Sequence, residues 1–286
     1  MECLEGGTLD RTPGERDGSH TQRIITLTTD FGASGPFVGS MKGVILGINP
    51  QVQIIDIAHE ISPFDLLDAA FMVSCAYSYF PARTIHCIVV DPGVGGERRP
   101  IVAVTTRYSF VAPDNGVLSY IYERESIERV IHLKEHAYFL PRISRTFHGR
   151  DIFAPAAAWL SRGVDPQRMG PVIDDYVRCD IPRPKVSGGG TRIQGRVIHI
   201  DIFGNLVTNI PFSLVEDRLG QREAGFSVTI KDIVIDRLCK AYEDAGKGKT
   251  GAIVGSHGYI ELFSNQDSLA RQGGIAKGEP LEVILG

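Results

Sequence analysis

The sequence has no apolar run approaching the roughly 20 residues of a membrane-spanning helix, so no membrane partner is expected. It also lacks an excess of positive charge. Thirty Lys and Arg against 34 Asp and Glu give a formal net charge of −4, which does not favour binding to a phosphate backbone. No nucleic-acid partner is expected. Cysteine is scarce: there are five, widely spaced, with no C-x-x-C. That excludes a disulfide framework and a structural zinc site, and it implies a reducing, cytoplasmic compartment. Cys75 and Cys87 lie in apolar strings (MVSCAYSYF, IHCIVV) and read as small core residues. Residues 1–22 are polar and aperiodic, without the apolar stretch of a signal peptide, and read as a disordered tail.

What is present is an ordinary globular composition with one surplus. Hydrophobic residues make up 43 % and charged residues 22 %. The 32 glycines are about 11 % of the chain, against an average near 7 %.

Structure is expected from Arg23 onward. RIITLTT is a β-rich run ending at Asp30-Phe31-Gly32. Phe37, Val38, Met41, Val44, Ile45 and Ile48 then recur at helical spacing. Gln51–Ile57 reads as a second strand. Leu66–Tyr79 is apolar nearly all round, as in a buried helix, and Pro81 ends it. TIHCIVV at 84–90 is a continuous apolar strand, of the kind covered on both faces. Alternating strands and helices predict an α/β domain with a central, mostly parallel sheet over 23–182. Ile101–Thr106 and Ser109–Ala112 are close enough to pair, and Asp151–Leu160 reads as a helix. IPRPKVSGGGTR then changes the composition, and 183–191 reads as a linker. From 192 to 286 short strands punctuated by glycine predict a small all-β barrel domain.

Several strings carry the residue types of a site. Asp91 follows the buried strand in VVDPGVGGERR, where an open α/β sheet places its ligands. The glycines let the backbone bend, and Arg98 is placed to fold back on Asp91. The simpler reading is a strand-ending turn with an ion pair. Asp30 holds the equivalent place after the first strand, either as a helix cap or as a carboxylate for a pair of ribose hydroxyls. His148, in FHGRD, precedes a helix whose dipole disfavours the imidazolium. DIFGN at 201–205 and SHGY at 256–259 combine polar groups, a ring and glycine, but hairpin turns look similar. His132-Leu133-Lys134-Glu135-His136 fits the H-x-x-E-H of some zinc peptidases, yet it runs from strand into loop rather than along a helix. The GVGG run lacks the GK[ST] ending of a P-loop.

Taken in order, TDFG (29–32), VDPGVGGERR (90–99), PDNG (113–116), FHGRD (147–151), DIFGN (201–205) and SHGYIEL (256–262) resemble the S-adenosyl-L-methionine (SAM) hydroxide adenosyltransferase family. These are water-using relatives of the SAM-dependent fluorinase and chlorinase. The resemblance covers nearly the whole chain from Arg23. It implies hydrolysis of SAM to adenosine and L-methionine, with SAM as substrate and no metal or cofactor. It also implies a homotrimer whose sites lie between the α/β domain of one subunit and the barrel of its neighbour.

Residue by residue, the resemblance implies that Asp91, Arg98 and His148 surround the attacking water. Asp30 matches the residue holding the ribose hydroxyls, Asp201 a ligand of the methionine amino group, Asn205 an adenine contact and Ser256 a carboxylate contact. Phe64, Phe147 and Phe203 match rings around the substrate. Asn115 and His257 complete the expected substrate-binding set. The halogenases carry Tyr where Asp91 stands and lack the His of FHGRD. An acid and a His suit water, which must lose a proton, and a carboxylate repels a halide. Gly149 matches a Ser of the fluorinase but a Gly of the chlorinase, so that position leaves chloride open. His257 replaces an Arg, and Ser264 and Gln266 also depart from the fluorinase. Two alternatives therefore stand beside SAM hydrolysis: a chlorinase-like halogenase, and a SAM- or adenosine-binding protein without turnover. For hydrolysis, Asp91 and His148 are expected to orient the water and take its proton, and Arg98 to fix Asp91. Which of the two takes the proton stays open.

Overall fold

The computed structural model describes residues 23–219 and 225–286. The expected tail at 1–22, with Cys3, lies outside the described residues.

The first sheet begins with β1 (Ile24–Thr29), followed by helix α1 (Phe37–Ile48), β2 (Gln53–Ala58) and α2 (Leu66–Ala76). Next come β3 (Ile85–Val89), β4 (Pro100–Thr105), β5 (Ser109–Pro113), α3 (Ser119–Arg124) and β6 (Ile127–His132). Helix α4 (Ala154–Ser161) and the short β7 (Val172–Ile173) complete it. The strand order is β2-β1-β3-β5-β4-β6-β7. The sheet is mixed. β2, β1, β3 and β5 run parallel, whereas β4, β6 and β7 pair antiparallel. The physical reason is connection length. Only the three residues 106–108 join β4 to β5, too few for the crossover that parallel neighbours need.

Alternation along the strands sorts the core into layers. Ile85, Cys87 and Val89 of β3 pack with Ile25 and Leu27 of β1 against α1 and α4. Ile88 and Val90 face the other way, with Ala69 and Val73 of α2 and Leu118 and Ile121 from the α3 segment. A strand covered on both faces must be apolar on both, which is why TIHCIVV shows no alternation.

The second sheet contains β8 (Lys185–Ser187), β9 (Arg192–Ile200), β10 (Leu206–Pro211), β11 (Phe226–Ile230) and β12 (Ile233–Ile235). It continues with β13 (Leu238–Cys239), β14 (Thr250–Val254), β15 (Tyr259–Ser264) and β16 (Pro280–Leu285). Helices α5 (Ser213–Leu219) and α6 (Leu269–Gln272) interrupt it. The path β12-β11-β16-β9-β10-β15-β14-β13 is a half-barrel, antiparallel except at β13–β14. Within 183–191, β8 pairs with β9, and Gly188, Gly189 and Gly190 all take positive φ in the turn between them.

The two sheets meet along α2. Phe71 and Ala70 share an apolar cluster with Ile198 and Val207, and His199 Nδ1 lies 2.7 Å from Asp68 Oδ1. Among the described residues, no helix is long and apolar enough to cross a membrane.

On the α2 face, Phe110 is fully buried and stacks on the buried His86 ring at 5.0 Å. Phe110→Ala should therefore cost about 3–5 kcal/mol in urea unfolding. A loss under 1 kcal/mol would show that this layer does not carry the core.

Candidate functional site

Asp91 stands where β3 leaves the sheet. Its segment turns at once: Val94 N–H donates to Asp91 O at 3.2 Å, and Gly96 N–H to Gly93 O at 3.0 Å. Gly95 has φ +76°, and a Cβ there would lie 2.1 Å from the Arg145 carbonyl oxygen. The glycine is thus required by both conformation and close approach. It lets the 140s loop, which leads into His148, pack onto the turn beyond Asp91.

The turn brings Arg98 back. Arg98 Nε donates to both Asp91 oxygens, at 2.9 and 2.8 Å, and Nη2 also bonds Oδ2. The same Nη2 lies 2.7 Å from His148 Nδ1. The Asp91 side chain is only 4 % exposed and that of Arg98 10 %. The guanidinium also lies 5.1 Å over the Phe153 ring. Because Arg98 has only donors, His148 Nδ1 must accept, and the ring proton sits on Nε2. Burial, first, and the Arg98 charge, second, hold the imidazole below its ordinary value of 6.5, against the opposing Asp91 and Asp151. As expected from the sequence, His148 stands at a helix entry: it precedes a π-helical turn, Gly149–Phe153, that continues directly into α4.

Asp30 lies at the end of β1, and its Oδ2 accepts the Phe64 N–H at 3.0 Å. Phe64 itself has φ +67°. A phenylalanine in that region is strained, and such strain collects at functional positions. Asp30, Phe64, Asp91, Phe147 and His148 line one cavity of about 330 Å³. Phe31, Phe37, Val94 and Thr146 line it too and were not expected there. Phe31, Phe37 and Phe147 form a ring cluster with centroids 5.2–5.8 Å apart. Phe31 had a signal, since it follows Asp30 directly. Phe37 was hidden among the apolar positions of α1.

The half-barrel residues sit elsewhere. Asp201, Phe203 and Asn205 line a separate cavity of about 660 Å³. Asp201 Oδ1 accepts the N–H of Phe203 at 2.9 Å and of Asn205 at 2.8 Å, and Oδ2 accepts Asn205 Nδ2 at 2.9 Å. Gly204, at φ +83°, passes so close to Ser268 that a Cβ would lie 1.9 Å from its Oγ. This tight loop leaves Ile202 95 % and Phe203 73 % exposed.

The other expected residues line neither cavity. Ser256 and His257 lie in the β14–β15 turn, with His257 Nε2 3.6 Å from Glu261 and its ring 5.6 Å from Phe71. Asn115 donates through Nδ2 to Val90 O at 2.9 Å and so braces the strand end from which Asp91 projects. Next to it, Arg99 bonds Asp114 Oδ2 through Nε and Nη2 at 2.9 and 2.6 Å, and reaches Asp175 at 2.7 Å. The adjacent Arg98 and Arg99 thus serve the cavity and its support respectively. His132 ends β6 and His136 opens a 3₁₀ turn, so the H-x-x-E-H string shares no helix face.

The chain matches the SAM hydroxide adenosyltransferase N-terminal domain over residues 25–170 and the corresponding C-terminal domain over 195–282. It is 34 % identical over 276 residues to the (R)-S-adenosyl-L-methionine hydrolase of Methanocaldococcus jannaschii, covering 91 % of this chain and 95 % of that one. The enzyme of the same name from Thermus thermophilus is 30 % identical, with 92 % and 100 % covered. A fluorinase from Actinopolyspora mzabensis is 25 % identical, with 93 % and 98 % covered. Among solved structures, an uncharacterized conserved protein from Thermotoga maritima superposes with a TM-score of 0.85 at 34 % identity, covering 91 % of this chain and 99 % of that one.

The His148 environment has a measurable signature. By NMR the ring should titrate below 6.5, and Arg98→Met should raise that value while Asp91 and Asp151 still favour the imidazolium. An unchanged or lower value in the variant would remove Arg98 from the account. The folded state prefers the neutral ring, so the fold loses stability as pH falls from about 6.5 towards the lower folded value.

Proposed function

From its membership of the SAM hydroxide adenosyltransferase family, to which this chain belongs, we infer that the protein hydrolyses SAM to adenosine and L-methionine. The observation that carries this reading is the hydrogen-bonded Asp91–Arg98–His148 set, of which Asp91 and His148 line the 330 Å³ cavity together with Asp30. Asp30 takes the ribose hydroxyls, and Phe64 and Phe147 flank the nucleoside. Water lies behind the ribose C5′, opposite the sulfonium. Attack forms the C5′–O bond and breaks the C5′–S bond, whose electron pair leaves on a neutral thioether. No general acid is needed at the leaving group. The surplus proton of the water must be removed.

The hydrogen bonds support one assignment for that proton. His148 Nδ1 already accepts from Arg98, so protonating it would set two donors face to face. Asp91 Oδ2 accepts two bonds from Arg98 and Oδ1 only one. Oδ1 therefore keeps a lone pair for the water, and Asp91 accepts the proton. His148, which lines the same cavity, helps to orient the water. An ionised Asp91 also repels a halide, which sets this cavity against halogenation.

The site is completed by a second subunit. Asp30, Asp91 and His148 line the 330 Å³ cavity, whereas Asp201, Phe203 and Asn205 line a different one. Ile202 and Phe203 form an exposed apolar tip that calls for a partner. In this reading the chain is a homotrimer, and the DIFGN loop of one copy closes over the Asp91 cavity of the next. Asp201 and Ser256 then take the methionine end, Asn205 the adenine, with Asn115 and His257 in support. A reducing, cytoplasmic setting belongs to the same proposal, and Cys75, Cys87, Cys179 and Cys239 are free thiols.

In metal-free buffer, Asp91→Asn and His148→Ala should each lower adenosine and methionine release from SAM at least about 100-fold. Undiminished turnover by both would sink the assignment. For the shared site, Asp91→Asn and Asp201→Ala proteins, each inactive alone, should regain activity when unfolded and refolded together. Mixed trimers would then contain sites built from two intact halves. No recovery alongside a monomeric sedimentation profile would refute the shared site.

A further inference from the structure

The opposite end of the α/β sheet holds a second concave site that the reaction above does not use. Here the chain enters β1, β3 and β5, and β4 ends. Arg23, Arg83, Arg107 and Arg129 all line a cavity of about 400 Å³. Its one carboxylate is Asp165, whose Oδ1 accepts the Gln167 N–H at 3.0 Å. Among the described residues, Arg23, Arg83 and Arg107 form no ion pair, and Arg129 reaches only Glu128, at 3.8 Å. Arg107 instead lies 5.1 Å over the Tyr108 ring.

The framework beneath these side chains is firmly built. The Arg83 N–H donates to Arg107 O at 2.5 Å, and Ser109 N–H to Thr84 O at 3.2 Å. Thr105 Oγ1 accepts from the N–H groups of both Arg107 and Tyr108, at 3.3 and 2.9 Å. Arg83 has φ +73°, a left-handed conformation that costs free energy for a side chain of this size. Mutually repelling cations on a strained, hydrogen-bonded frame are the reverse of what stability alone selects. Burial, first, and the charge of Arg83, second, hold the Arg23 guanidinium below its ordinary value, in keeping with its having no ion pair among the described residues.

We propose that this cavity binds an oligophosphate chain, free or carried by a nucleotide. Guanidinium forks match phosphate oxygens two at a time, and four of them suit several linked phosphates better than one. Leu160, Val164 and Pro166 supply an apolar wall that suits the base and sugar of a nucleotide. The concave shape and the net charge of −4 set the site apart from a nucleic-acid surface.

Calorimetric titration of the full chain with inorganic triphosphate at about 0.15 M salt, where surface charge is screened beyond about 8 Å, tests this. The expected result is saturable binding of one triphosphate per chain, weakened at least tenfold in the Arg83→Ala/Arg107→Ala double variant, with SAM turnover unchanged. Should that variant fail to fold, Arg129→Gln must show weakened binding at wild-type thermal stability. A uridine triphosphate arm separates the sources, since tighter binding than triphosphate marks a nucleotide and equal or weaker binding a free chain. No saturable binding, or equal binding by wild type and folded variants, overturns the proposal.

Discussion

The structure around the candidate site depends on one buried ion pair. Asp91 emerges from the core of the sheet, and its charge has almost no access to water. Arg98 supplies the compensation through bonds to both carboxylate oxygens. A buried carboxylate without its partner is destabilising by about 3–5 kcal/mol, so each residue of the pair is held in place by the other. The pair also dictates the next residue. With one guanidinium nitrogen aimed at Nδ1, His148 is held neutral and in one tautomer. The π-helical turn after it and the Gly95–Arg145 approach are the backbone terms that bring the imidazole within reach. Cavity polarity, proton location and loop packing are thus consequences of one carboxylate placed at the end of one strand.

The same economy explains the half-barrel loop. Asp201 spends its oxygens on the loop's own N–H groups, and this rigidity holds Ile202 and Phe203 out in solvent. A loop so constrained does not collapse onto its own chain. Its apolar tip is preformed, so ordering it against another surface would cost little further conformational entropy. The expected substrate residues are thus divided between two cavities of one chain, one lined by Asp30, Asp91 and His148 and the other by Asp201, Phe203 and Asn205.

A net charge near zero conceals a polarised α/β domain. At the carboxyl ends of the parallel strands, Asp30 and Asp91 face a cavity that suits a cationic sulfonium. At the amino ends, four arginines converge with one acid among them. The sheet separates the two groups, so the ends of one domain are prepared for ligands of opposite sign.

Much of this was legible in the sequence. α1 was readable because its apolar residues recur at helical spacing, and β1, α2 and β3 because each is a β-rich or continuously apolar run bounded by turn residues. Asp30, Asp91 and His148 were readable because each follows or precedes such an element, next to glycine. The order of six motifs led to the family. The sequence does not show Phe37 turned from the face of α1 into a ring cluster, because helical spacing alone does not say which neighbour a ring meets. Nor does it show that Asn115 braces Val90, or that 106–108 makes half the sheet antiparallel. It contains Arg23, Arg83, Arg107 and Arg129 as four unremarkable cations, 106 positions apart from first to last. By itself the sequence determined which segments bury their side chains and which residue types stand at strand ends, because both are local properties. Only the tertiary structure decided which charges face each other, which nitrogen of His148 holds its proton and which arginines have no ion pair among the described residues. Those depend on distances between segments remote in the chain, and Coulomb and hydrogen-bond energies are set by such distances.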